Sequence, residues 1–145
     1  MMRIIIITQD EPFFLKKNIE YLISLLPNNI KIAGCVVSDA SPFGKKEGFL
    51  KKVIKTIKIF GIHFFLHYSI KYIKSKLFKE SVKEVLKKNK ISLIKLNGSI
   101  NTTKNLKIIK NYNPSLLVSI LGNQIFKKPL IELADFGCIN LHTAL

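Results

Sequence analysis

The sequence predicts an α/β fold, an open, doubly wound and mostly parallel sheet, on three observations. Apolar β-branched runs alternate with segments of helical periodicity, the links between them are short, and the first run is apolar throughout, as a strand buried on both faces requires. The length of 145 residues suits one domain, and 48% hydrophobic with 23% charged residues argues against disorder or a disulfide scaffold.

Arg3 to Thr8 is the first strand, ending at polar residues. Pro12 opens a helix in which Phe14, Leu15, Ile19, Leu22, Ile23 and Leu26 recur at helical spacing until Pro27-Asn28-Asn29 ends it. Ile30 to Val37 is the second strand, closed by Ser38-Asp39-Ala40-Ser41-Pro42, and completes a strand-helix-strand unit. Further on, Glu80 to Asn89 is a helix with Val82, Val85 and Leu86 inward, and Ile91 to Leu96 is the third strand. After a turn at Asn97 to Asn101 come a helix over Thr103 to Asn111 and the fourth strand, Leu116 to Leu121. Gly-Asn-Gln starts a helix over Gln124 to Leu133, and Cys138 to His142 is the fifth strand, expected near the sheet centre. This is a Rossmann-like arrangement, in which ligands bind at the carboxyl ends of the strands.

Residues 45–79, between the second and third strands, form a basic helical insertion that a minimal sheet does not need. Lys45 to Lys90 holds 14 Lys against Glu47, Glu80 and Glu84, a net +11 of the chain's +15. Phe49 to Phe78 is one or two helices, with Leu50, Val53, Ile54 and Ile57 on one face, Lys51, Lys52, Lys55 and Lys58 on the other, and Gly61 as a break. The preferred reading is a surface hairpin packed on the sheet with its lysines solvated; the sharper one is an element that touches RNA or an anionic membrane surface. Arg3 is the sole arginine and Lys is abundant throughout, so base-specific nucleic-acid reading is disfavoured.

Two cysteines, Cys35 and Cys138, are too few for a disulfide framework or a zinc site. The longest apolar candidate, Ile59 to Ile70, is about half a membrane span, and the Ile4 to Ile7 run is too short for a signal-peptide core. A cytoplasmic, reduced protein is expected, without a metal site. Oligomeric state is not legible.

No GxGxxG follows the first strand, no P-loop occurs, and no Ser stands in a G-x-S-x-G elbow, which disfavours dinucleotide-dependent dehydrogenases, P-loop kinases and α/β-hydrolases. Two strand ends remain. After the fourth comes Gly122-Asn123-Gln124-Ile125-Phe126, where a glycine lets backbone approach a ligand; by itself this also fits an ordinary strand-to-helix turn. In the fifth, Asn140 and His142 are two apart and point to one face, with Ile139 and Leu141 on the other. An amide donor beside an imidazole suits acyl transfer, and a structural histidine capping the strand fits the spacing equally well.

Tyr112-Asn113-Pro114-Ser115-Leu116-Leu117-Val118-Ser119, then Gly122 to Phe126, then Gly137-Cys138-Ile139-Asn140-Leu141-His142-Thr143-Ala144-Leu145 resembles the formyltetrahydrofolate-dependent formyltransferases. These include the methionyl-tRNA, amino-sugar and glycinamide ribonucleotide enzymes. The last string is the most specific, since the family reads close to G-x-I-N-x-H-x-S-L-L-P-x-Y-x-G; the first strand-helix-strand unit agrees in pattern only. The resemblance implies formyl transfer from 10-formyltetrahydrofolate to a primary amine. It casts Asn140 as hydrogen-bond donor to the formyl oxygen and His142 as stabiliser and proton carrier. It casts Gly122, Asn123, Gln124, Ile125 and Phe126 as the cofactor-binding loop against which the pterin packs.

The family's catalytic Asp follows the histidine by a few tens of residues, and the sequence stops at Leu145, inside the motif. Asp10, Asp39 and Asp135 are not at that position, so the 145 residues are expected to be an incomplete domain, inactive alone. The long insertion resembles enzymes acting on amino sugars, which favours a small-molecule amine or nucleotide-sugar acceptor slightly over methionyl-tRNA. The competing expectation is a non-catalytic module that binds folate, RNA or anionic membrane.

Overall fold

Strand β1 (Met2–Gln9) carries four consecutive isoleucines, and alternation sends them to two separate cores. Ile5 and Ile7 enter one cluster and Ile4 and Ile6 the other. Each buried isoleucine contributes about 1.5–3 kcal/mol, which is why so uniform a run settles in the middle of a sheet. The computed structural model describes residues 1–11, 13–38, 48–78 and 81–141, without the side chains of Phe49, Lys52 and Lys76. His142, Asp39 and Pro12, each singled out above, lie outside the described residues.

Helix α1 (Leu15–Leu25) follows, its first turn capped by the Glu11 carboxylate, which accepts the N–H groups of Phe13, Phe14 and Leu15 at 2.8, 2.9 and 3.2 Å. Strand β2 (Ile30–Ser38) lies parallel to β1. Helix α2 (Phe49–Leu77) comes next and is broken at Gly61, whose φ of 83° and ψ of 166° leave helical geometry where the sequence places a break. Helix α3 (Val82–Lys88) is capped by Ser81 and by Asp10, whose carboxylate accepts the Val82 N–H at 3.0 Å.

Strand β3 (Leu93–Ile94) is shorter than the Ile91 to Leu96 expected, because it is an edge that pairs only with Cys35 and Val36. Helix α4 (Thr103–Lys110) and strand β4 (Leu116–Ile120) follow, then the four-residue helix α5 (Lys128–Ile131) and strand β5 (Cys138–Leu141). The five strands are parallel in the order β3-β2-β1-β4-β5, the doubly wound sheet expected. Helices α1 and α3 cover the face of Ile4 and Ile6, while α4 and α5 cover the other.

Three expectations change. β5 is an edge of the described sheet and not near its centre, and Ile139 and Leu141 are exposed on the face away from α4 and α5. The helix expected from Gln124 begins only at Lys128, because residues 124–127 are held by the turn at 97–101 and Pro129 starts the helix. Among the described residues, α2 contributes none to either core cluster, so its described side chains lie outside both cores. It leans on the entrance to α1 through Tyr68 against Phe13.

The sole arginine has an internal role: Nη2 and Nε of Arg3 donate to the Tyr112 carbonyl at 2.7 and 3.0 Å, tying β1 to the segment that enters β4. Cys35 is fully buried, and burial pushes its thiol up to about 12, so it stays protonated as a small core residue.

Candidate functional site

β4 and β5 pair with Leu117 beside Cys138 and Ser119 beside Asn140. Leu117 lies in the core beneath α4 and α5, so Ser119, Cys138 and Asn140 share that face of the sheet at its carboxyl end. The chain leaves β4 abruptly: Leu121 takes φ 52°, a left-handed conformation costing roughly 1–2 kcal/mol, with its N–H donated to the Leu141 carbonyl at 3.1 Å. Gly122 then folds back over the strand end. A Cβ there would stand 2.6 Å from Ser119 Oγ, closer than any side chain tolerates. The loop roofs a cleft of about 560 Å³ lined by Ser119, Gly122, Asn123, Gln124, Ile125, Phe126, Ile131, Cys138 and Asn140.

Hydrogen bonds from distant segments set the loop. Asn101 Nδ2 donates to the Ile125 carbonyl at 2.8 Å, and Asn101 Oδ1 accepts the Lys127 N–H at 2.9 Å. Gln124 Oε1 accepts the Ile100 N–H at 2.8 Å. Ser38 Oγ lies 3.1 Å from both Asn123 Oδ1 and the Thr8 carbonyl, linking the loop to the ends of β2 and β1. The partner turn is itself held by buried Asn105, whose Nδ2 donates to the carbonyls of Asn97 and Ser99 at 2.9 and 2.8 Å. All five loop residues and Asn140, far apart in sequence, thus meet in one cleft. Gln124 enters with its side-chain oxygen already committed to the Ile100 amide, which makes that oxygen a positioning group.

No Asp, Glu, Lys or Arg is among the cleft's described lining residues. Burial raises the Cys138 thiol, opposed by a backbone hydrogen bond from Ser119, so the group is a protonated thiol near neutral pH. Asp10, at the end of β1, has its carboxylate on the start of α3 and 3.7 Å from Lys83 Nζ. Asn140 is exposed at the edge of the cleft, where its amide can donate to an oxygen that gathers negative charge. The volume is in the range of small-molecule sites, and Phe126, Ile125 and Ile131 offer apolar surface to a flat ring.

Ser119, Cys138, Ile131 and Asn101 belong to the cleft or its frame and were not singled out from sequence. Strict alternation along β5 would have found Cys138, two residues before Asn140, and a polar residue in an otherwise apolar buried strand marks Ser119. Asn101 carried no local signal.

No family model matches the chain. Over 64 residues it is 33% identical to methionyl-tRNA formyltransferase from Syntrophomonas wolfei, a stretch covering 44% of this chain and 20% of that protein. The match therefore spans a fifth of the relative's length, and at that extent it supports a relationship to the formyltransferases.

Proposed function

We propose that this chain supports transfer of a formyl group from 10-formyltetrahydrofolate to a primary amine, with the cleft at the ends of β4 and β5 as the donor site. The observation that carries the reading is the convergence of Gly122, Asn123, Gln124, Ile125, Phe126 and Asn140 on one cleft at the carboxyl edge of a parallel sheet. Partial identity to a formyltransferase points the same way.

In this reading Phe126 and Ile125 hold the pterin ring on their apolar surfaces, and Gly122 lets backbone amide groups come close to it. The donor, when bound, supplies a carbonyl carbon at the formic acid oxidation level. The Asn140 amide donates a hydrogen bond to the formyl oxygen and so favours charge developing there. His142, which the resemblance places at the end of the strand, takes and returns a proton. The amine has to be neutral to attack, which requires a nearby base or carboxylate to take its proton. The acceptor is a nucleotide sugar or other small amine by the resemblance of the 45–79 insertion, or methionyl-tRNA, the substrate in the relative's name. The place of action is the cytoplasm.

Titration calorimetry with a stable deaza analogue of 10-formyltetrahydrofolate tests the donor site. Saturable binding is expected, weakened about tenfold or more by Ile125→Asp, a change at a residue 85% exposed that leaves the fold intact. Asn140→Ala is expected to erase the preference for the formylated analogue over the unformylated one. Absence of saturable heat, or binding indifferent to both changes, overturns the reading. The competing reading is a module that binds folate without catalysis; tight binding with no formyl transfer to any amine would select it.

A further inference from the structure

The second segment of α2, residues 62–77, has two opposed faces. Phe64 and Tyr68 stack with ring centroids 4.2 Å apart, Tyr68 meets Phe13 edge-on at 5.1 Å, Lys71 Nζ stands 4.4 Å from the centre of the Phe14 ring, and Ser75 is buried. These four α2 positions recur every three or four residues, so they form one stripe, and that stripe rests on the body of the protein. At 100° per residue, Ile62, Leu66, Ile70, Ile73 and Leu77 form a second stripe roughly opposite the first. They are between 48% and 74% exposed, and none joins a core cluster. Five large aliphatic residues in register face outward on a helix with no acidic residue.

We propose that this stripe docks the protein on the surface of an anionic lipid bilayer, with the 62–77 segment lying in the interfacial plane. Whatever covers the stripe has to offer apolar contact and negative charge together, because the stripe sits in a segment, Lys45 to Lys90, with net charge +11. A leaflet rich in acidic headgroups offers both: acyl chains receive the aliphatic residues, and lysines such as Lys74, beside the stripe, reach the headgroups on their flexible stems. A second copy of this chain brings the same positive charge to the contact and is repelled. RNA supplies phosphates but no surface for aliphatic groups; single strands stack on aromatic rings, and all five residues of the stripe are aliphatic. Among the described residues no helix is long and apolar enough to cross a membrane. The 16-residue segment, about 24 Å long, suits lying on a bilayer.

Flotation with vesicles of phosphatidylcholine and phosphatidylglycerol in equal parts, against phosphatidylcholine alone, reads the association. The chain has no tryptophan, so Leu66→Trp supplies a single reporter whose emission shifts to the blue and escapes iodide quenching when the stripe enters the interface. Binding is expected to the anionic vesicles only, and Leu66→Ser with Ile70→Ser and Ile73→Ser is expected to lower the bound fraction about tenfold or more. Circular dichroism checks that the triple variant folds; if it does not, the Leu66→Trp emission decides. The proposal fails if the chain stays in solution. It fails equally if vesicle binding survives the serine changes, which would leave charge attraction alone. It also fails if the serine changes dissolve a dimer, or spare RNA binding, in a protein that does not float.

Discussion

Gly122 is defined by what it lacks. Its backbone is not in the left-handed region, so a side chain is excluded by contact: an added Cβ meets Ser119 Oγ at 2.6 Å, while the next nearest atoms, Phe126 Cζ and Ser119 Cβ, are at 3.8 Å. Gly122→Ala is therefore expected to lower stability by about 1–3 kcal/mol, the usual cost of overpacking. Ser119→Ala removes the offending oxygen, so the double variant should regain most of that loss, and urea midpoints of the four proteins measure the coupling. Strict additivity would mean that the contact does not explain the glycine. The neighbouring Leu121 at φ 52° adds strain at the same exit, and the two residues together turn an ordinary strand end into the back wall of a cleft.

The loop from Gly122 to Lys127 is an element held from outside. Asn101 alone makes two of its hydrogen bonds, to Ile125 and Lys127, and neither is visible from the loop's own sequence. Asn101→Ala is expected to cost about 1 kcal/mol, since both bonds are solvent-accessible, and to speed hydrogen exchange at the Lys127 amide more than at β1 amides. Equal acceleration everywhere would indicate general destabilisation in place of a loosened loop. Helix caps follow the same logic. Asp10 caps α3 from 72 residues away, and Glu11 caps α1 by reaching forward over Phe13 and Phe14. Periodicity located both helices because amphipathic spacing is local; it could not name caps delivered by the end of a strand.

At the scale of the whole molecule the dominant fact is charge. The chain carries +15, and the ion pairs among the described residues, Lys83 with Asp10, Lys88 with Glu20 and Lys128 with Glu132, are exposed or half-exposed. Exposed pairs contribute little, whereas self-repulsion of so many lysines acts on the whole compact state. Raising sodium chloride from low to moderate concentration should therefore raise the thermal midpoint, by shortening the Debye length across the lysine-rich surface. A midpoint that falls with salt would show that the pairs outweigh the repulsion.

The sequence by itself determined the α/β class, the five strands and helices on both faces of the sheet, because alternation, helical spacing and turn residues are properties of neighbours along the chain. It also brought forward Gly122 to Phe126 and Asn140, since strand ends can be located locally and parallel sheets place their sites there. Only the tertiary structure decided that those residues share one cleft with Ser119, Ile131 and Cys138, because the pairing of Ser119 with Asn140 is a matter of register between strands. It alone decided that β5 is an edge of the described sheet and that the aliphatic stripe of α2 faces away from the protein. Amphipathic spacing shows that a helix has an apolar side, and long-range packing chooses which side the fold covers.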